Sequence, residues 1–146
     1  MLSRIPNLLA VAVGGVYHIW YMEKHSAVPH SKKAPAVFYR TEAGGEPVRE
    51  WLKDLPREDK RAIGEDIKTV ELGWPIGMPA SRPLKHGLHE VRSHQSNNRI
   101  ARVIFCIDRQ QRMVLLHGFI KKTRKTPPED IELARRNKVR YEKESR

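Results

Sequence analysis

Cysteine is nearly missing from this chain: Cys106 is the single one in 146 residues. No disulfide can form within the chain, which fits a reducing compartment. Cys106 lies in the apolar run Val103–Ile107 and reads as a buried small hydrophobe rather than a nucleophile. Long apolar runs are also missing. Leu8–Val16 is broken by Gly14 and Gly15, whereas a membrane span needs about 20 apolar residues. Arg4 ahead of that run resembles the start of a signal peptide. The aromatic cluster Tyr17–Tyr21, standing where a cleavage site should fall, argues against one. The histidines at 18, 25, 30, 86, 89, 94 and 117 are scattered, with no carboxylate or thiol at ligand spacing, so no metal site is expected. There is no phosphate-binding glycine loop or dinucleotide fingerprint. Neither a metal nor another cofactor is expected.

Acids are scarce where cations concentrate. The formal net charge is +11, and residues 82–125 hold eleven Lys/Arg against only Glu90 and Asp108. Residues 37–81 carry seven Lys/Arg and nine acids, so the excess is local. A bias of this kind implies a polyanionic partner: nucleic acid, an anionic membrane or an acidic protein. Its position on the segment with strand-like periodicity favours a surface that faces phosphates.

The length suits one domain with one modest core. Met22 opens the polar stretch Glu23–Lys33. We expect residues 1–33 to be an N-terminal extension, disordered or outside the functional protein, and 34–146 to be the working domain. Ala34–Arg40 is short and β-branched, and it reads as a strand. Glu46–Leu55 places Val48, Trp51, Leu52 and Leu55 on one helical stripe, and Pro56 ends it. Arg57–Leu72 is a second helix that buries Ile63, Ile67 and Val70, with Asp59 among the residues marking its wet side. Gly73–Pro83 reads as a loop.

Three strands follow. In Leu88–Ser93, Leu88, Glu90 and Arg92 share a face. In Arg99–Ile107, Ala101, Val103, Phe105 and Ile107 oppose Ile100, Arg102, Ile104 and Cys106. In Arg112–Ile120, strict alternation puts Met113, Leu115, His117 and Phe119 opposite Val114, Leu116, Gly118 and Ile120. Short turns make these an antiparallel meander. Thr126, Pro127, Pro128 and Glu129 then start a final helix to about Tyr141, with Thr126 as its cap. The expected fold is α+β: two N-terminal helices on a small antiparallel sheet, ordered β-α-α-β-β-β-α, with the helices on one face.

Three blocks occur in sequence: Pro83-Leu-Lys-His-Gly-Leu-His-Glu-Val-Arg92, Arg99-Ile-Ala-Arg-Val-Ile-Phe105, and Val114-Leu-Leu-His-Gly-Phe-Ile-Lys-Lys-Thr-Arg-Lys-Thr-Pro127. Together they resemble the phage-derived HigB branch of the RelE toxin superfamily of type II toxin–antitoxin systems. The resemblance covers about residues 36–141. It implies a RelE-like fold and a cytoplasmic toxin that acts as a ribosome-dependent mRNA endoribonuclease, an mRNA interferase. It also implies binding in the ribosomal A site and neutralisation by a small helix-turn-helix antitoxin of the HigA kind. In this chemistry the RNA's own 2′-OH attacks, so the protein supplies proton transfer and charge stabilisation rather than a metal.

Such cleavage needs cations on the scissile phosphate, a proton acceptor and a proton donor. Arg102 is the first candidate, an arginine amid an apolar strand that matches the family's arginine there. Its structural alternative is an ion pair with Glu90. Arg92 shares a face with Glu90, and its alternative is a solvated edge charge. His117 is the best placed imidazole for work near neutral pH. Its alternative is a core histidine bonded to backbone. Lys121 completes the catalytic set, while Lys85, His86, Arg99, Lys122, Arg124 and Lys125 are candidate RNA contacts. Related toxins often carry a tyrosine late in the last strand or tail, and this chain has none between Tyr39 and Tyr141. Phe119 or Tyr141 is left for stacking on a base. Two other readings stay open. One is a gyrase-trapping toxin of the ParE type on the same fold. The other is a non-catalytic nucleic-acid-binding protein of phage origin.

Overall fold

The structure is a computed structural model and describes residues 31–146. The expectation for residues 1–33 thus falls outside the described residues, apart from positions 31–33. Chain order is β1 (Ala36–Phe38), α1 (Pro47–Lys53), α2 (Arg57–Gly73), β2 (Ser81–Pro83), β3 (His89–His94), β4 (Ile100–Ile107), β5 (Met113–Lys121) and α3 (Pro128–Glu144). The strands form one sheet in the order β1-β5-β4-β3-β2.

The α+β class holds, but three details differ from expectation. The sheet is mixed rather than antiparallel, because β1 runs parallel to β5 with Ala36 opposite Met113. An additional strand, β2, occupies the end of the expected loop and pairs antiparallel with the start of β3. The helices also lie on both faces. The α1 and α2 residues Val48, Leu52, Ile63, Ile67 and Val70 pack against Val91, Ala101, Val103, Phe105, Met113 and Leu115. Ala134 of α3 packs with Leu88, Ile104, Cys106, Val114, Leu116 and Phe119 on the other side. Strands β4 and β5 are apolar on both faces, and a sheet of that pattern needs cover on both. Full burial of each Ile or Leu here contributes about 1.5–3 kcal/mol, and the central strands supply such residues to each layer.

Polar ties position the edges. Glu71 of α2 is buried, and its side chain accepts the Ala36 amide at 2.7 Å and pairs with Lys32 at 3.1 Å. Its backbone carbonyl accepts the amides of Lys33 and Ala34, so the entry to β1 is bound to the end of α2. Asp59, expected on the wet side of α2, is buried and paired with Arg99 at 3.4 Å. The turn between β3 and β4 runs through Asn97 and Asn98, at φ 64° and 59°, a left-handed conformation that asparagine tolerates.

Strict alternation fails at one place in β5. Ile104 pairs with His117 but Phe105 pairs with Leu115, so Leu116 is an extra residue and the strand bulges. Past the bulge the phase inverts. Phe119 therefore joins the α3 layer with Val114 and Leu116, not the Met113 and Leu115 side expected from simple alternation. Gly118 turns to the opposite face under Trp51, where a Cβ would lie 2.4 Å from the indole carbons. Asn137 of α3 is buried and donates to the Leu116 carbonyl at 2.9 Å, holding the bulge from the other side.

Candidate functional site

The inverted phase of β5 places Phe119 at the centre of a cationic cluster on the α3-side face. The Arg102 guanidinium and the Lys121 ammonium each lie 5.8 Å from its ring centroid. The His117 imidazole stacks on it at 5.4 Å with 23° between planes. Such contacts suit the negative face of an aromatic ring. Arg92 stands directly across the ladder from Arg102. Strand register and one bulge thus bring Arg92, Arg102, His117 and Lys121 together.

Arg102 and Arg92 are engaged with the loop after β5. Arg102 donates through Nη2 to the carbonyls of Thr123 and Arg124, the latter at 2.9 Å. Arg92 Nη1 reaches the same Arg124 carbonyl at 3.1 Å and Glu90 Oε2 at 3.1 Å. Glu90 is fully buried; it also faces Arg82 at 3.9 Å and accepts the Thr126 hydroxyl. The alternative reading of Arg102, an ion pair with Glu90, is not what its side chain makes: its hydrogen bonds go to loop carbonyls. Thr126 does not cap α3: Pro127 holds the cap position and Thr126 is directed to Glu90 instead. Arg102 is 0% exposed, and its buried Nε and Nη1 have no hydrogen-bond partner among the described residues. Burial, reinforced by Arg92, lowers its pKa from the ordinary arginine value. A guanidinium remains charged through such a shift, so two desolvated N–H donors stand ready for an acceptor.

The other half of the cluster rests on the first turn of α3. Asp130 accepts from His117 Nε2 through Oδ1 at 2.8 Å and from Lys121 through Oδ2 at 3.2 Å. Lys121 also lies 3.8 Å from Glu129. His117 is therefore not a core histidine tied to backbone. Its partner is a carboxylate.

The candidate RNA contacts separate into groups. Lys122, Arg124 and Lys125 are exposed on the loop that covers Arg102. Lys85 and His86 sit on an exposed turn whose Gly87 lies beside Lys138 of α3, and no side-chain hydrogen bond or ion pair ties them to the cluster. Arg99 is directed to Asp59 of α2, on the opposite layer, and is not brought to the cluster. Sequence reasoning assigned Thr126 a different task and did not single out Asp130. Their partners lie 36 and 13 residues away, and no local signal marks such pairs.

Among the described residues, no group of three or more His, Cys, Asp or Glu side chains is placed to hold a metal ion. Nor is any helix there long and apolar enough to cross a membrane. A family model for phage-derived Gp49-like proteins matches residues 50–139, a span that contains the whole cluster. The chain belongs to the Gp49-like family. This is a RelE/HigB-like toxin family, and a Gp49-like toxin implies an antitoxin as its partner. No curated protein matches the chain.

Proposed function

We propose that this Gp49-like protein is the toxin of a type II toxin–antitoxin system, cytoplasmic, and a ribosome-dependent mRNA endoribonuclease. The observation that carries this reading is the gathering of Arg92, Arg102, His117 and Lys121 around Phe119, under a loop that exposes Lys122, Arg124 and Lys125. The RNA 2′-oxygen attacks the adjacent phosphorus, and the bond to the 5′-oxygen breaks. Products are a 2′,3′-cyclic phosphate and a 5′-hydroxyl. His117 takes the 2′-OH proton, a proton from solvent goes to the leaving 5′-oxygen, and the cations stabilise the charge that grows on the phosphoryl oxygens. Because nucleophile and leaving group both belong to the RNA, the step needs no metal.

Arg102 imposes a condition. It is roofed by the carbonyls of Thr123 and Arg124, so a phosphate reaches it only when the loop lifts. Phosphoryl oxygens then replace two carbonyl acceptors and supply the missing partners of Nε and Nη1. Guanidinium forks favour that exchange, since phosphoryl oxygens carry a negative charge that the carbonyls lack and match the fork bidentately. The antitoxin, a helix-turn-helix protein of the HigA kind, would neutralise the toxin by covering this face.

The test is expression without antitoxin, followed by primer extension on cellular mRNA. Growth should stop, with cuts that depend on translation. Arg102→Ala should lower cleavage by about 10²–10³-fold in a protein that keeps its circular dichroism. Cells killed as fast by Arg102→Ala as by wild type would overturn the site assignment. Arrest with intact transcripts would overturn the nuclease and favour a gyrase-directed toxin. The complete burial of Arg102 favours a second reading, a non-catalytic RNA-binding protein in which both arginines only brace the loop. In that case ribosomes would bind the protein while messages stay uncut.

A further inference from the structure

We propose that Asp130 is a positioning residue that fixes His117 as the Nε2–H tautomer, leaving Nδ1 as the nitrogen that accepts a proton. The catalytic consequence rests on the nuclease reading above; the tautomer does not.

An ionised carboxylate can only accept hydrogen bonds. Asp130 Oδ1 lies 2.8 Å from Nε2, so in neutral His117 the hydrogen is on Nε2 and the lone pair is on Nδ1. Asp130 is 9% exposed, and its other oxygen is engaged by Lys121 at 3.2 Å. Both oxygens are thereby given fixed tasks. The imidazole plane is set independently by the stack on Phe119 at 5.4 Å. Nδ1 has no hydrogen-bond partner among the described residues, so it is the ring nitrogen left to meet an incoming hydroxyl. The second ring nitrogen of a histidine decides the role of the first, and here the decision comes from the first turn of α3. A histidine and its positioning carboxylate are brought together from a bulged strand and a helix start.

The observable is the tautomer of His117, read by long-range ¹H–¹⁵N correlation in the wild-type protein at a pH where its imidazole is neutral. The expected pattern is a protonated Nε2 and a bare Nδ1. A protonated Nδ1 would overturn the proposal without any mutant having to fold. In Asp130→Asn, the amide offers either a donor or an acceptor to Nε2, so the ¹⁵N pattern should shift to a mixture. Asp130→Glu should restore the single tautomer if its longer arm still reaches Nε2. Cleavage by Asp130→Asn should drop by about tenfold or more, up to the 10²–10⁴-fold that general-base catalysis as a whole contributes. An unchanged ¹⁵N pattern and unchanged cleavage in Asp130→Asn would refute the positioning role while leaving the nuclease intact. A wild-type protein that shows the expected tautomer and cuts no RNA would instead refute the nuclease and leave the hydrogen-bond assignment standing.

Discussion

Gly118→Ala should destabilise the protein through a single clash. A Cβ at this position would meet Trp51 Cε3 and Cζ3 at 2.4 Å and Cδ2 at 3.0 Å. Ordinary carbon–carbon contacts are about 3.5–4.0 Å, so the indole must retreat by roughly 1 Å. It has little room, because Trp51 packs against the core that contains Val48 and Leu52 from the same helix. Gly118 is not at positive φ, so no backbone strain adds to the cost. A Gly→Ala change without a clash would stabilise by about 0.4–1 kcal/mol through the unfolded state. Overpacking of a filled core costs about 1–3 kcal/mol. We expect a net loss of about 2 kcal/mol, or roughly 4–8 °C in Tm for a domain near this size. Urea denaturation should show a lower midpoint with an unchanged slope. In a Trp51→Leu background the same substitution should cost far less, with a coupling of about 1–2 kcal/mol. A loss below about 0.5 kcal/mol in the wild-type background would mean that Trp51 does not sit over Gly118. The phase of β5 beyond its bulge would then be wrong.

Asn137→Ala should cost about 1–3 kcal/mol in urea unfolding, since it leaves the buried Leu116 carbonyl without its donor. Asp108 should contribute to acid sensitivity. Burial raises its carboxyl, but hydrogen bonds from Tyr141 and Arg112 outweigh this and hold it below the ordinary aspartate range. Its stabilising contribution is therefore present above the ordinary range and is lost as pH falls through the lowered folded value. A Tm–pH curve for Asp108→Asn should be flatter than wild type in that acid window. The Cys106 thiol is pushed up to about 12 by burial. It should resist thiol reagents at neutral pH in the folded protein and react only as the chain unfolds; fast labelling of the native state would contradict its placement.

Much of the domain was readable along the chain because the signals are local. Ile63, Ile67 and Val70 recur at helical spacing and are all buried in α2. Alternation in β4 assigned Arg102 to the face opposite Val103 and Phe105, as the two cores confirm. The concentration of cations over residues 82–125 was visible from composition. The three ordered blocks pointed to a RelE/HigB-like toxin family, and the family match agrees.

What the sequence by itself determined is periodicity, charge and family, because each depends on neighbouring residues or on their order. Tertiary structure alone decided which residues meet. One extra residue at Leu116 reversed the faces of β5 and set Phe119 among the cations. Packing of α3 on the second face delivered Asp130 to His117. Thr126 was taken from a helix cap by a buried Glu90 far away in sequence. A bulge and a long-range hydrogen bond are settled by competition among contacts across the whole fold. No window of adjacent residues contains that competition.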